Sequence, residues 1–103
     1  LRFLPQNDLI PVGEARALIL SGQAQLWCGE GCAGITEIAP GGRLHILLAG
    51  GSLGGLLAMR ADVEAFGRAM GCRCVYLSGR RGWRRIFPRF GYAFDGEDMV
   101  KEL

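Results

Sequence analysis

Four groups of residues in this chain have chemistry to offer: one histidine, one carboxylate upstream of it, a run of glycines and a cluster of arginines. His45 is the only histidine and sits in the apolar stretch RLHILLA. Glu37 lies in the preceding stretch, AGITEI. An imidazole titrates near neutrality, and a carboxylate beside it can support it as a general base toward an amine. If neighbouring strands bring Glu37 and His45 together, they form the candidate catalytic pair. The plainer reading makes them an ordinary solvated strand glutamate and a partly exposed strand histidine.

The glycine run is Gly50-Gly51-Ser52-Leu53-Gly54-Gly55, placed after a strand pattern and before a helical one. Bare backbone N–H groups there, with the positive end of the helix, suit an anion such as a phosphate. The same residues also serve as a plain strand-to-helix connection. Between Cys72 and Tyr92 there are six arginines and no acidic residue, with Trp83, Phe87 and Phe90 interleaved. Arginines spaced by aromatics can grip phosphates and stack on bases; as a solvated helix face they need no partner. Cys28, Cys32, Cys72 and Cys74 have poor spacing for a zinc site, and no metal is expected. They read as reduced thiols, which places the protein in the cytoplasm.

The elements that position these residues follow from periodicity. Gln23–Cys28, Ala33–Ile38 and Arg43–Ala49 read as an antiparallel meander split by glycine turns. In the third strand Leu44, Ile46 and Leu48 share one face and His45, Leu47 and Ala49 the other. Leu56, Met59, Val63, Phe66 and Met70 recur at steps of 3 and 4, the mark of an amphipathic helix over Leu56–Met70. Arg60, Asp62, Glu64 and Arg68 fall off its apolar face. Gly71 stops that helix, and a strand from Cys72 follows in parallel with the third. A short helix ending at Gly91 and a last strand over Met99–Leu103 complete the pattern. Val12–Leu20 reads as a helix, after an irregular segment over residues 1–10. The fold class is α/β (α+β), a mixed sheet within a single domain over residues 1–103. A chain of 103 residues with 50% hydrophobic residues and net charge +2 is a globular domain of marginal stability, about 5–10 kcal/mol. No apolar run reaches the ~20 residues that span a bilayer, so no membrane partner is expected. Open sheet edges predict a homodimer.

This order of elements resembles the GNAT superfamily of N-acetyltransferases over roughly residues 11–103. It is most similar to small GNAT-like proteins of phages and prophages. They show an LW in the first core strand, a TEI in the next, and a GC…GRRGW…GY stretch near the end. Here these are Leu26-Trp27, Thr36-Glu37-Ile38, Gly71-Cys72, Gly79 to Trp83 and Gly91-Tyr92. The resemblance implies an acyl-CoA site, for acetyl-CoA or another acyl-CoA, in the pattern Q/R-x-x-G-x-G/A. It falls on Leu48, Ala49, Gly51, Ser52, Gly54 and Gly55. Gly54 matches the central glycine, Gly51 stands at the Gln/Arg position and Leu56 at the small one. The family's L-Y-x-x-x-G-F stretch aligns with Ile86 to Tyr92. It puts Phe87 where a tyrosine acid would stand, and Arg80 and Trp83 at positions that line the cofactor. The implied function is an acyl-CoA-dependent N-acyltransferase of weak or lost activity acting on an unknown amine acceptor. The alternative is a non-catalytic GNAT-like module that binds a protein or nucleic acid through Arg80 to Arg89.

Overall fold

β-rich runs cut by glycines with positive φ dictate the first half of the fold. The computed structural model describes residues 4–5, 17, 19–78 and 81–103, with backbone alone at Leu4, Pro5, Leu48, Arg81 and Gly82. After β1 (Leu4–Pro5) come β2 (Ala24–Gly29), β3 (Cys32–Ala39) and β4 (Arg43–Gly51). Tight turns at Gly31 (φ 72°) and at Gly41 and Gly42 (φ 85° and 73°) join them, conformations that favour glycine. Then follow α1 (Leu53–Ala69), β5 (Cys74–Ser78), α2 (Arg81–Ile86), a 3-10 turn over Phe87–Phe90, β6 (Ala93–Asp95) and β7 (Asp98–Glu102). The result is a mixed α+β fold with one seven-stranded sheet in the order β2-β3-β4-β5-β7-β6. Among the described residues only β4 and β5 run parallel; the other pairs, including β1 with β4, are antiparallel.

α1 covers one face of the sheet. Ser52 caps it, its Oγ accepting a hydrogen bond from the Gly55 N–H at 3.2 Å. Leu56, Met59 and Val63 pack on Leu44, Ile46, Ala49, Val75, Leu77 and Met99 in the main core. Each large aliphatic side chain buried there contributes about 1.5–3 kcal/mol. Gly71 (φ 75°) ends the helix, with Cys72 N–H donating back to the Gly67 carbonyl at 2.8 Å. That bond holds Cys72 in the helix stop, so β5 begins at Cys74 rather than at Cys72.

Several expectations need correction. Gly50 and Gly51 belong to β4, and α1 starts at Leu53, so the glycine run is not a loop: Ser52 alone joins strand to helix. A bulge also breaks the alternation expected in β4. Ile35 faces Leu48 and Thr36 faces Ile46, leaving Leu47 as the extra residue. Ala49 therefore joins Leu44 and Ile46 in the main core, while Leu47 packs on the far face with Ala24, Ile35 and Ile19. Glu64, expected off the apolar face of α1, is buried. The segment 1–10 is not wholly irregular, since Leu4 and Pro5 pair with Ala49 and Leu48. Of the helix expected over residues 12–20, Ala17, Ile19 and Leu20 are helical, and the rest lies outside the described residues.

β4 and β5 pair only over Arg43–His45 and Cys74–Tyr76. Past His45 and Tyr76 the two strands part. β4 therefore has an edge from Ile46 onward that β5 does not cover, and β1 takes that edge at Leu48 and Ala49.

Candidate functional site

The face of the sheet away from α1 carries a polar cluster where β4 and β5 part. Glu37, His45 and Tyr76 lie directly opposite one another on β3, β4 and β5, so their side chains share a face. His45 Nδ1 lies 3.9 Å from Glu37 Oε1, an ion-pair distance longer than a hydrogen bond. The His45 ring stacks on Tyr76 with centroids 4.3 Å apart and planes 2° apart. Arg43 Cζ sits 4.1 Å from the same tyrosine centroid. The imidazole and the guanidinium both lie against the Tyr76 ring.

Burial pulls the His45 pKa below its ordinary value, and the nearby Glu37 carboxylate opposes that shift. At neutral pH the imidazole is therefore uncharged, with a nitrogen able to take a proton. Burial moves the Tyr76 phenol the other way, upward, so it stays protonated. The arrangement can accept a proton at His45 and steady the resulting imidazolium with Glu37. Sequence alone suggested Glu37 and His45. It missed Tyr76 and Arg43, because nothing local reveals a partner across a parallel strand pair.

The glycines behind the anion reading separate into different roles. Gly51, at φ 113°, closes β4. A Cβ on Gly55 would meet Cys32 Sγ at 2.8 Å, Ser52 Oγ at 2.8 Å and the Glu30 carbonyl at 2.9 Å. Gly55 therefore lets the β2–β3 turn pack on the start of α1, and that space is filled by the chain itself. A Cβ on Gly54 would meet nothing within 4 Å. Gly54 thus faces open space at the positive end of a 17-residue helix whose first turn holds no acidic residue.

In the Arg-rich end the aromatic side chains are packed and the described arginine side chains are not. Phe87 is 2% exposed, with Trp83 tilted over it at 5.0 Å and Tyr92 edge-on at 5.0 Å. Trp83 and Phe87 close over the opposed pair Gly34 and Ala49, leaving a cavity of about 30 Å³, room for about one water molecule. Arg84, Arg85 and Arg89 are exposed, and Arg84 lies 5.1 Å over the Phe94 ring. Arg80 lies outside the described residues.

A second charged cluster was not legible in sequence. Glu64, 3% exposed, accepts hydrogen bonds from Lys101 Nζ at 2.8 Å, Arg60 Nη1 at 2.8 Å and the Tyr92 hydroxyl at 2.9 Å. Burial pushes the Glu64 pKa up, but these three bonds outweigh it and leave the carboxyl below its ordinary range. Burial and the adjacent Glu64 charge drive the Tyr92 phenol far above its usual range. The helical spacing of Arg60 and Glu64 was the one available signal.

All four cysteines are free. Among the described residues no group of three or more His, Cys, Asp or Glu side chains is placed to hold a metal ion. No helix among them is long and apolar enough to cross a membrane. No family model, curated protein or solved structure matches the chain.

Proposed function

We propose that this chain is a GNAT-like protein, of phage or prophage type, that binds acyl-CoA and has weak or lost N-acyltransferase activity toward an amine. The observation that carries the reading is the opening between β4 and β5. It begins at the His45–Tyr76 pair, lies beside the Leu47 bulge and leads along β4 toward the start of α1. The sheet order, with β7 between β5 and β6, supports the same reading. Gly54 and the N-terminus of α1 suit the pyrophosphate. When bound, the cofactor supplies an activated acyl thioester. His45 takes a proton from the amine, and Glu37 stabilises the imidazolium. Phe87, buried and without a hydroxyl, donates no proton to a leaving thiolate. The free thiols suit the cytoplasm.

Calorimetric titration with CoA and acetyl-CoA tests the reading. Micromolar binding that Gly54→Glu abolishes is expected. The site is open, so the glutamate costs no packing, while its charge opposes a phosphate. No heat at millimolar ligand rejects the reading.

One observation favours a non-catalytic module instead. Leu4 and Pro5 pair with the stretch of β4, Leu48 and Ala49, that the resemblance gives to the cofactor. In that reading the exposed Arg84, Arg85 and Arg89 meet a protein or nucleic acid. Replacing Arg80, Arg81, Arg84 and Arg85 with Gln then abolishes salt-dependent DNA binding or partner capture. Unchanged binding leaves these arginines a solvated face.

A further inference from the structure

The sheet ends differently at its two edges. β6 is three residues long, ends in Asp95, and has Phe94 roofed by Arg84. β2 is six residues long, AQLWCG, with neither charge nor proline, and among the described residues it pairs only with β3. Edge strands are normally blunted by charge, proline or brevity, and β2 has none of these. Beside it, between β2 and the first turns of α1, runs an open groove of about 620 Å³. Trp27 and Met59 form its apolar part, and the small Gly55 and Ala58 leave it wide. Its charged lining residues are Glu30 and Asp62, both acidic and exposed, with no lysine or arginine. The whole chain carries net charge +2, so this is a local negative patch on a basic protein.

We propose that the β2 edge and this groove receive an extended basic peptide. The peptide adds as a strand beside β2 and lays a lysine or arginine side chain over Trp27, between Glu30 and Asp62. Strand addition supplies main-chain hydrogen bonds, and alternate side chains fall on the groove face. A cation there gains from the indole ring and from two carboxylates. The receiving ring is already fixed. Trp27 Nε1 donates to Thr36 Oγ1 at 2.9 Å, Thr36 donates on to Gln25 Oε1 at 2.9 Å, and Phe66 meets the indole edge-on at 5.5 Å. A ring held this way loses little freedom on binding. Net positive charge on the protein works against non-specific capture of a basic peptide, so binding must come from the local patch.

The test is calorimetric titration of the full chain with a short capped peptide of alternating valine and arginine. Two control peptides carry glutamate for arginine, or a central proline that removes a backbone donor. The arginine peptide is expected to bind and both controls to fail. A Glu30→Gln, Asp62→Asn double variant, changed only at exposed positions, is expected to bind at least about tenfold more weakly. No binding of the arginine peptide overturns the proposal, as does binding that the double variant leaves undiminished. Sedimentation that shows copies of the chain paired through β2, and separated by Leu26→Lys, assigns the edge to a second copy and also overturns it.

Discussion

On the α1 side of the sheet, Glu64 is gripped by three hydrogen bonds of 2.8 to 2.9 Å; on the opposite side, Glu37 meets His45 at 3.9 Å. Both clusters pair a carboxylate with basic groups and a tyrosine. Glu64 is 3% exposed and has every strong partner it can use, joining α1 to β7 and to the end of the 3-10 turn. Glu37 and His45 are part-exposed, and the imidazole stacks on Tyr76 with Glu37 3.9 Å away. A carboxylate saturated with donors is fixed in one protonation state and works as architecture. A loosely paired imidazole beside a carboxylate can take up and release a proton. The first cluster is built as structure, and the second is the one that the proposed function uses to move a proton.

Removing each carboxylate should break this symmetry unequally. Glu64→Ala leaves Arg60 and Lys101 without their counter-charge and the Tyr92 hydroxyl without its acceptor. It should cost about 3–5 kcal/mol in urea unfolding, a large share of a total near 5–10 kcal/mol. Phe87→Tyr tests whether the missing acid can be restored. The ring is buried, so the added hydroxyl should cost about 1–3 kcal/mol and bring no gain in acyl transfer. Glu37→Gln should change stability by no more than about 1 kcal/mol, because the pair is partly solvated.

Both clusters should lose stability as pH falls, each in its own window. The folded-state pKa of Glu64 lies below its ordinary value. Its stabilisation is therefore present above the ordinary carboxylate range and is lost as pH falls through the folded value. Urea midpoints should drop there in the wild type, and less steeply in Glu64→Gln. His45 is shifted below its ordinary 6.5, so the unfolded state binds the proton first. Stability rises with pH between the folded value and about 6.5, and the penalty is complete below that window. Because Glu37 holds the His45 pKa up, Glu37→Gln should lower it further in an NMR titration. A rise would contradict the placement of the carboxylate.

Local pattern revealed the meander, the main helix and the parallel return, since alternation and 3–4 spacing are written in neighbouring residues. Long-range geometry was not so written. The Leu47 bulge moves Ala49 onto the face of Leu44 and Ile46 while Leu47 stays on that of His45, and no residue type announces it. Gly54 and Gly55 look alike in sequence, yet one faces open space and the other is wedged against Cys32 and Glu30. Glu64 read as a solvent-facing helix residue because two of its partners lie 28 and 37 residues along the chain. Glu37 and His45 were legible as a pair because adjacent antiparallel strands set their register. Tyr76 was not, because its strand returns only after a helix.

The most direct test is an amide chemical-shift map recorded while coenzyme A is titrated into the full chain. Binding along the opening predicts shifts at Ile46 to Gly51, at Leu53 and Gly54, and at the His45 ring, with the Glu64 cluster unmoved. An unperturbed spectrum at millimolar ligand, or shifts confined to other surfaces, would contradict it.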